Sequence, residues 1–300
     1  MRTAVIGIGS NSLRMLVADI TGGELHRLRR YREGLRVFAA LDAQGNITVD
    51  MLDKACASVG SFAKEARAQG AEETHLFATS AVRDARNQKA FTAALEKATG
   101  LRLEICSGEL EARLSFIGAT DGEEAGLIDI GGGSTEIVIG RGTQTSASTS
   151  LQMGAVRLCR SLPIQTAKDA WRACKAAAEI LSPCKKRFIG LNAARWVGVG
   201  GTFTATAALV QQIPWDRRER IHGYVLTREN VRRAMEELAP MPLEERLRLP
   251  YLQPHRADIA VHGIAILLAC MDELLIRRIT VSEYGNLEGY LKMKYLYQSA

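Results

Sequence analysis

Apolar and polar positions along this chain form a pattern that occurs twice. Leu127-Ile128-Asp129-Ile130 is a short apolar run bounded by glycine, which predicts a buried strand. It breaks into Gly131-Gly132-Gly133-Ser134-Thr135 and resumes as Ile137-Val138-Ile139, a hairpin with a glycine-rich turn. Near the N-terminus, Val5-Ile6-Gly7-Ile8-Gly9-Ser10-Asn11-Ser12 is followed by Met15-Leu16-Val17. One offset of 122 residues (129 − 7) lays Ile8 on Ile130, Gly9 on Gly131, Ser12 on Ser134 and Val17 on Ile139. Self-similarity at one long offset predicts two related domains, 1–124 and 125–300. Their boundary falls at the polar, glycine-flanked stretch 122–126.

The remaining periodicities predict strands alternating with helices, hence an α/β architecture. Gly22-Gly23 turns the chain into a strand over 24–31, where Arg27, Arg29, Arg30 and Arg32 read as a solvated face, or else a ligand channel. Helical spacing covers 49–69, ending at Gly70, then 88–99 with Asn87 as cap, and 108–118. Strands are expected at 75–78, 103–106, 143–150, 196–199 and 279–282. Thr79 to Arg83 reads as irregular. Helices are expected over 167–188, with Pro183 bending or ending the first, and over 203–211, 228–238, 243–248, 257–275 and 285–297.

Composition narrows the class. With 47% hydrophobic and 24% charged residues, the chain is an ordinary globular protein. A net charge of +6 and a pI near 9.1 favour anionic partners. Six cysteines form no CxxC pair and lie mostly in apolar or helical stretches, so reduced core thiols are expected. The five histidines, His26, His75, His222, His255 and His262, show no metal-ligand spacing. A signal-peptide layout is absent, and the apolar run 259–271 is too short to cross a bilayer. A cytoplasmic protein without membrane or sequence-specific nucleic-acid binding is the expectation.

The candidate chemistry lies in the turns. Glycines and hydroxyls after a strand let successive N–H groups converge on an anion. Asp129, the only charge in its strand, needs compensation, which a hydrated Mg²⁺ or a ring of loop amides would supply. Gly200-Gly201-Thr202 opens a helix, another place where anions are favoured.

IGIGSNS, ATSAVRD, SGELEARL, DIGGGSTE, GVGGTFTA and RADI stand in one order along nearly the whole chain. Together they resemble the exopolyphosphatase/guanosine pentaphosphate phosphohydrolase family, in a short two-domain form. The resemblance implies an α/β fold of two ribonuclease H-like domains, as in the actin-like ATPase superfamily, with an interdomain cleft into which both hairpins face. It implies hydrolysis of terminal phosphoanhydride bonds of inorganic polyphosphate, with pppGpp hydrolysis or low-turnover sensing of polyphosphate or nucleotide as alternatives. By the same resemblance Glu111 activates the attacking water, and Asp129 holds a metal or orients that water, with Glu136 assisting. Gly9, Ser10, Asn11, Ser12, Ser80, Arg83, Gly131, Gly132, Gly133, Ser134, Gly200, Gly201 and Thr202 bind phosphate. The metal is Mg²⁺, or Mn²⁺ in its place, and a homodimer is plausible by analogy. Two positions depart from the family pattern. Gly7 replaces a first-domain Asp, and Leu287 stands in the Gly285–Gly289 segment where an Arg is usual before Glu-Gly.

Overall fold

The computed structural model describes residues 1–191 and 193–297 of the chain. It divides into two compact units: Met1–Gly118 together with the chain from Asn286 onward, and Ala119–Gly285. The last helix therefore belongs with the first unit, whereas the division at 124/125 would put it in the second.

Unit 1 is built on five strands: β1 (Arg2–Ile8), β2 (Leu13–Thr21), β3 (Glu24–Glu33), β4 (Glu73–Ala78) and β5 (Leu103–Ile105), ordered β3-β2-β1-β4-β5. The first three form an antiparallel meander, and β4 and β5 add in parallel to β1. Its helices are α1 (Val49–Ala68), the single turn α2 (Ser80–Arg83), α3 (Gln88–Thr99) and α4 (Gly108–Thr120), which runs across the unit boundary.

Unit 2 repeats the plan with β6 (Ala125–Ile130), β7 (Thr135–Arg141), β8 (Gln144–Leu151), β9 (Trp196–Val199), β10 (Val225–Thr227) and β11 (Arg278–Val281). Read from β8, the order is β8-β7-β6-β9-β11-β10, so the first five match unit 1 strand for strand. Its helices are α5 (Ala155–Ser161), α6 (Ala167–Leu181), α7 (Gly201–Gln211), α8 (Arg218–Ile221), α9 (Arg228–Leu238), α10 (Leu243–Arg246) and α11 (Ala260–Glu273). The final helix, α12 (Asn286–Tyr295), closes unit 1.

The duplication extends to individual pairs. Ile8 faces Leu13 in unit 1, and Ile130 faces Thr135 in unit 2, each shifted by the same 122 residues. The register slips between Val17 and Ala18 on β2, and between Ile139 and Gly140 on β7, again 122 residues apart. A bulge at a fixed place in a meander re-aims the strand, so the shared bulge belongs to the repeated design. Two such sheets make the α/β, ribonuclease H-like fold that the sequence implied.

Local chemistry explains the element ends. Thr48 caps α1 by accepting from the Met51 N–H at 3.4 Å, and Gly70 takes φ +81° just beyond the helix. Pro183 lies beyond the end of α6. Asn87 differs from its expected role: its side chain makes no cap bond and clamps Ile47 instead, accepting its N–H at 2.9 Å and donating to its carbonyl at 2.8 Å. The stretch after Thr79 is not irregular but a helical turn, held by Arg83 N–H to Thr79 O at 3.0 Å.

α11 is buried all round from Ala260 to Met271, packed among α5, α6, α7 and α9. A helix apolar on every face must be surrounded, and this is the core of unit 2. Among the described residues, no helix is long and apolar enough to cross a membrane. In unit 1, α12 lays Leu287, Tyr290 and Leu291 on a cluster formed by Val5, Leu16, Phe77 and Leu114.

Candidate active site

In unit 1 the strand β1 ends at Ile8, and the turn Gly9-Ser10-Asn11-Ser12 is closed by Gly9 N–H donating to Ser12 O at 3.0 Å. Two carbonyls of this turn face a following helical turn: Arg36 N–H donates to Asn11 O at 3.0 Å and Phe38 N–H to Ser10 O at 2.9 Å. With its carbonyls anchored on that side, the loop is fixed in shape. The Ser10 and Ser80 hydroxyls lie 2.7 Å apart, both buried. Ser80 opens the single turn α2, and Arg83 closes it.

Arg83 then reaches two acceptors. Its Nη1 donates to the Cys106 carbonyl at 3.0 Å and to Glu111 Oε2 at 3.0 Å. Glu111 is only 7% exposed, so it is not the solvated surface carboxylate that its helical setting alone suggests. Its helix starts under a cap: the Ser107 hydroxyl accepts the Leu110 N–H at 3.1 Å, and the Ser107 carbonyl accepts the Glu111 N–H at 2.9 Å. A carboxylate in the first turn also gains from the helix dipole. The Cys106 thiol reports the local field: burial pushes it up to about 12, Glu111 and Glu104 push in the same direction, and Arg83 opposes them. Ser10, Ser80, Arg83 and Glu111 thus form one connected group within unit 1.

In unit 2 the matching turn is closed in the same way, by Gly131 N–H to Ser134 O at 3.0 Å. Here α5 supplies the anchors: Ala155 N–H donates to Gly131 O at 3.0 Å and Val156 N–H to Gly132 O at 2.9 Å. Arg157 Nε donates to Gly133 O at 2.8 Å. A Cβ on Gly154 would collide with the Gly132 carbonyl, so only glycine lets α5 approach this closely. Neither α5 nor Gly154 was foreseen from the sequence; the signal was the glycine that follows β8. Gly131 itself does not take a positive φ.

Asp129 pairs in register with Glu136 across the hairpin and with Val199 on β9. Directly opposed residues of an antiparallel pair share one face, so the two carboxylates lie on the same side. Glu136 is 1% exposed and accepts the Ser150 hydroxyl at 2.8 Å, unlike an ordinary strand-surface Glu. Gly200 takes φ +94°, and a Cβ there would meet Asp129 Oδ1 and the Ile130 carbonyl oxygen at 2.9 Å. The Gly200-Gly201-Thr202 turn is thus pressed against Asp129. The Arg256 guanidinium lies over Gly201, where a Cβ would strike it.

Among the described residues no group of three or more His, Cys, Asp or Glu is gathered to hold a metal. The donors present fit a different kind of site. Mg²⁺ commonly takes one or two carboxylates and completes its shell with water and substrate phosphate, and Asp129 with Glu136 offers that pair.

Position 7 offers no carboxylate, and the structure fills its place. A Cβ on Gly7 would come within 3.0 Å of Leu287 Cδ2 and of Phe77 Cζ. The two departures from the family pattern, Gly7 and Leu287, are therefore neighbours. Glu288 beside them is 1% exposed and is held by Arg30 and by Arg27, the latter at 3.6 Å. These two β3 arginines serve a buried carboxylate and not a solvated face.

Two sheets of ribonuclease H-like order, each ending its first strand in a closed, carbonyl-anchored turn, define an α/β protein of duplicated design. The comparisons narrow this: the model of the Ppx/GppA phosphatase family matches residues 16–298, and the chain belongs to that family. The matched span begins after the first turn. Exopolyphosphatase 2 of Mycobacterium tuberculosis is 32% identical over 310 residues, covering 96% of this chain and 97% of the relative. Exopolyphosphatase 1 of Mycobacterium bovis is 31% identical, covering 98% and 88%. Among solved structures, an exopolyphosphatase from Cytophaga hutchinsonii is 25% identical with a TM-score of 0.88, covering 98% of this chain and 97% of the other. The Ppx/GppA family member from Aquifex aeolicus is 27% identical with a TM-score of 0.83, covering 100% and 99%. The family points to a divalent cation in the reaction.

Proposed function

We propose that this chain is an exopolyphosphatase, hydrolysing the terminal phosphoanhydride bond of inorganic polyphosphate and releasing phosphate. The observation that carries the mechanism is the contact between half-buried Arg83 and buried Glu111, beside the Ser10–Ser80 connection. Water attacks the terminal phosphorus, the bond to the bridging oxygen breaks, and the shortened chain leaves as an anion. Glu111 accepts the proton of that water, its carboxylate held by Arg83 at 3.0 Å. Arg83 also offsets charge on the transferring phosphoryl group, where a guanidinium is well suited to oxyanions.

The two turns bind phosphate through their N–H groups and through the hydroxyls of Ser10, Asn11's neighbour Ser12, and Ser134. Their carbonyls are anchored elsewhere, so binding requires little rearrangement. Gly200-Gly201-Thr202 contributes the start of α7. Asp129, backed by Glu136, would hold Mg²⁺, or Mn²⁺ in its place, which when bound adds positive charge at the phosphate oxygens.

The direct assay is phosphate release from long-chain polyphosphate in the presence of Mg²⁺, with pppGpp as competitor. The expected result is steady release that pppGpp inhibits weakly. Tight binding of polyphosphate with no release would replace the hydrolase reading with a sensor, and preferential hydrolysis of pppGpp would move the substrate to the nucleotide.

A further inference from the structure

Unit 2 contains a pocket of about 500 Å³, within the roughly 300–1,000 Å³ typical of small-molecule sites. It is formed by the segment after α5, the turn from α9 into α10, and the approach to α11. Pro163, Ile164, Met241 and Leu243 give it apolar walls. None of its lining residues belongs to the candidate active site.

Two of its polar groups, Arg246 and His262, are buried. Arg246, the last residue of α10, is 5% exposed. Its Nη2 donates to the Ala239 carbonyl at 3.0 Å, while its Nε has no hydrogen-bond partner. A buried guanidinium nitrogen without an acceptor is costly. Burial holds the Arg246 pKa below its ordinary value, against the opposing pull of Cys159 and Asp258. His262 lies 2.8 Å from the Leu162 carbonyl through Nε2. A carbonyl only accepts, so Nε2 carries the proton, and burial favours the neutral ring.

The geometry points to a binding site for a small organic monocarboxylate, its anionic end on Arg246 and its apolar body along Met241, Ile164 and Pro163. Charge limits the class. Among the described residues Arg246 is the one cation of this lining and Asp258 already offsets it, so the pocket accepts at most one further negative charge, and a dianion such as a phosphate monoester is opposed. The apolar walls favour a ligand with a hydrocarbon or aromatic body over a bare inorganic ion.

The test titrates benzoate, and separately inorganic phosphate, into the full chain with ¹³C-methyl methionine, following the Met241 methyl resonance. Benzoate is expected to shift that resonance saturably, and phosphate to leave it unmoved. Arg246→Gln should weaken benzoate binding at least about tenfold, because a charge-assisted bond is lost. Leu243→Trp, made at a position 46% exposed, should obstruct the pocket without touching the core, and it decides the matter if Arg246→Gln does not fold. No saturable shift with benzoate, equal affinity in Leu243→Trp, or equal binding of phosphate would overturn the proposal.

Discussion

The residues that matter most here are defined by what presses on them. Gly7 and Leu287 were legible in the sequence as two separate departures, one near each end of the chain. Nothing in a linear pattern says that positions 280 residues apart (287 − 7) touch. In the structure they form one apolar contact, completed by Phe77, where the family pattern has a carboxylate and an arginine. Gly7→Asp alone therefore places a charge against Leu287 and Phe77, and urea denaturation should show a loss of about 3–5 kcal/mol, the cost of an unpaired buried charge. Adding Leu287→Arg should recover more than half of that loss, because the pair then compensates itself. Strictly additive losses in the double variant would mean that the two positions are independent. Glu111 was legible as a candidate only through its motif. Its burial and its bond to Arg83 depend on how α2 and α4 meet, which spacing along either segment does not disclose.

At the scale of elements, the hairpins, the meander and most helices could be read from apolar periodicity and from glycine and proline stops. The short elements could not. α5 has seven residues and β10 three, too few for a period to register, yet α5 anchors the Gly131–Ser134 turn. α4 shows how an element end can place a side chain. Its Ser107 cap lies one turn before Glu111, so the cap fixes the direction in which that carboxylate leaves the helix. Ser107→Ala should cost about 1 kcal/mol in denaturant unfolding. It should also lower kcat with KM within about twofold of wild type, since positioning of the base, and not substrate binding, is disturbed. Unchanged kcat would show that the cap has no part in placing Glu111.

For the molecule as a whole, the 122-residue offset disclosed the duplication, and the structure extends it to register and bulge. The destination of the last helix was not legible, because an apolar helix face fits any sheet that lacks a cover. α12 covers the unit 1 sheet and so joins the first and last parts of the chain in one unit. The buried thiols give a molecule-wide prediction. Burial pushes Cys106 and Cys270 up to about 12 and Cys174 to about 11, above the ordinary value of 9.0. A raised thiol pKa favours the protonated form in the folded state, so its contribution is complete below pH 9 and is lost as pH rises toward 11–12. Stability measured by urea at fixed temperature should fall steeply over that window, and Cys270→Ala should flatten the fall.

The central claim is that Glu111, held by Arg83, takes the proton from water that attacks polyphosphate. Single-turnover phosphate release by Glu111→Gln, in a variant shown by its unfolding curve to be folded, tests it most directly. The account predicts a rate about 10²–10⁴-fold below wild type with polyphosphate binding retained. A rate within roughly threefold of wild type, far less than general-base loss entails, would contradict it.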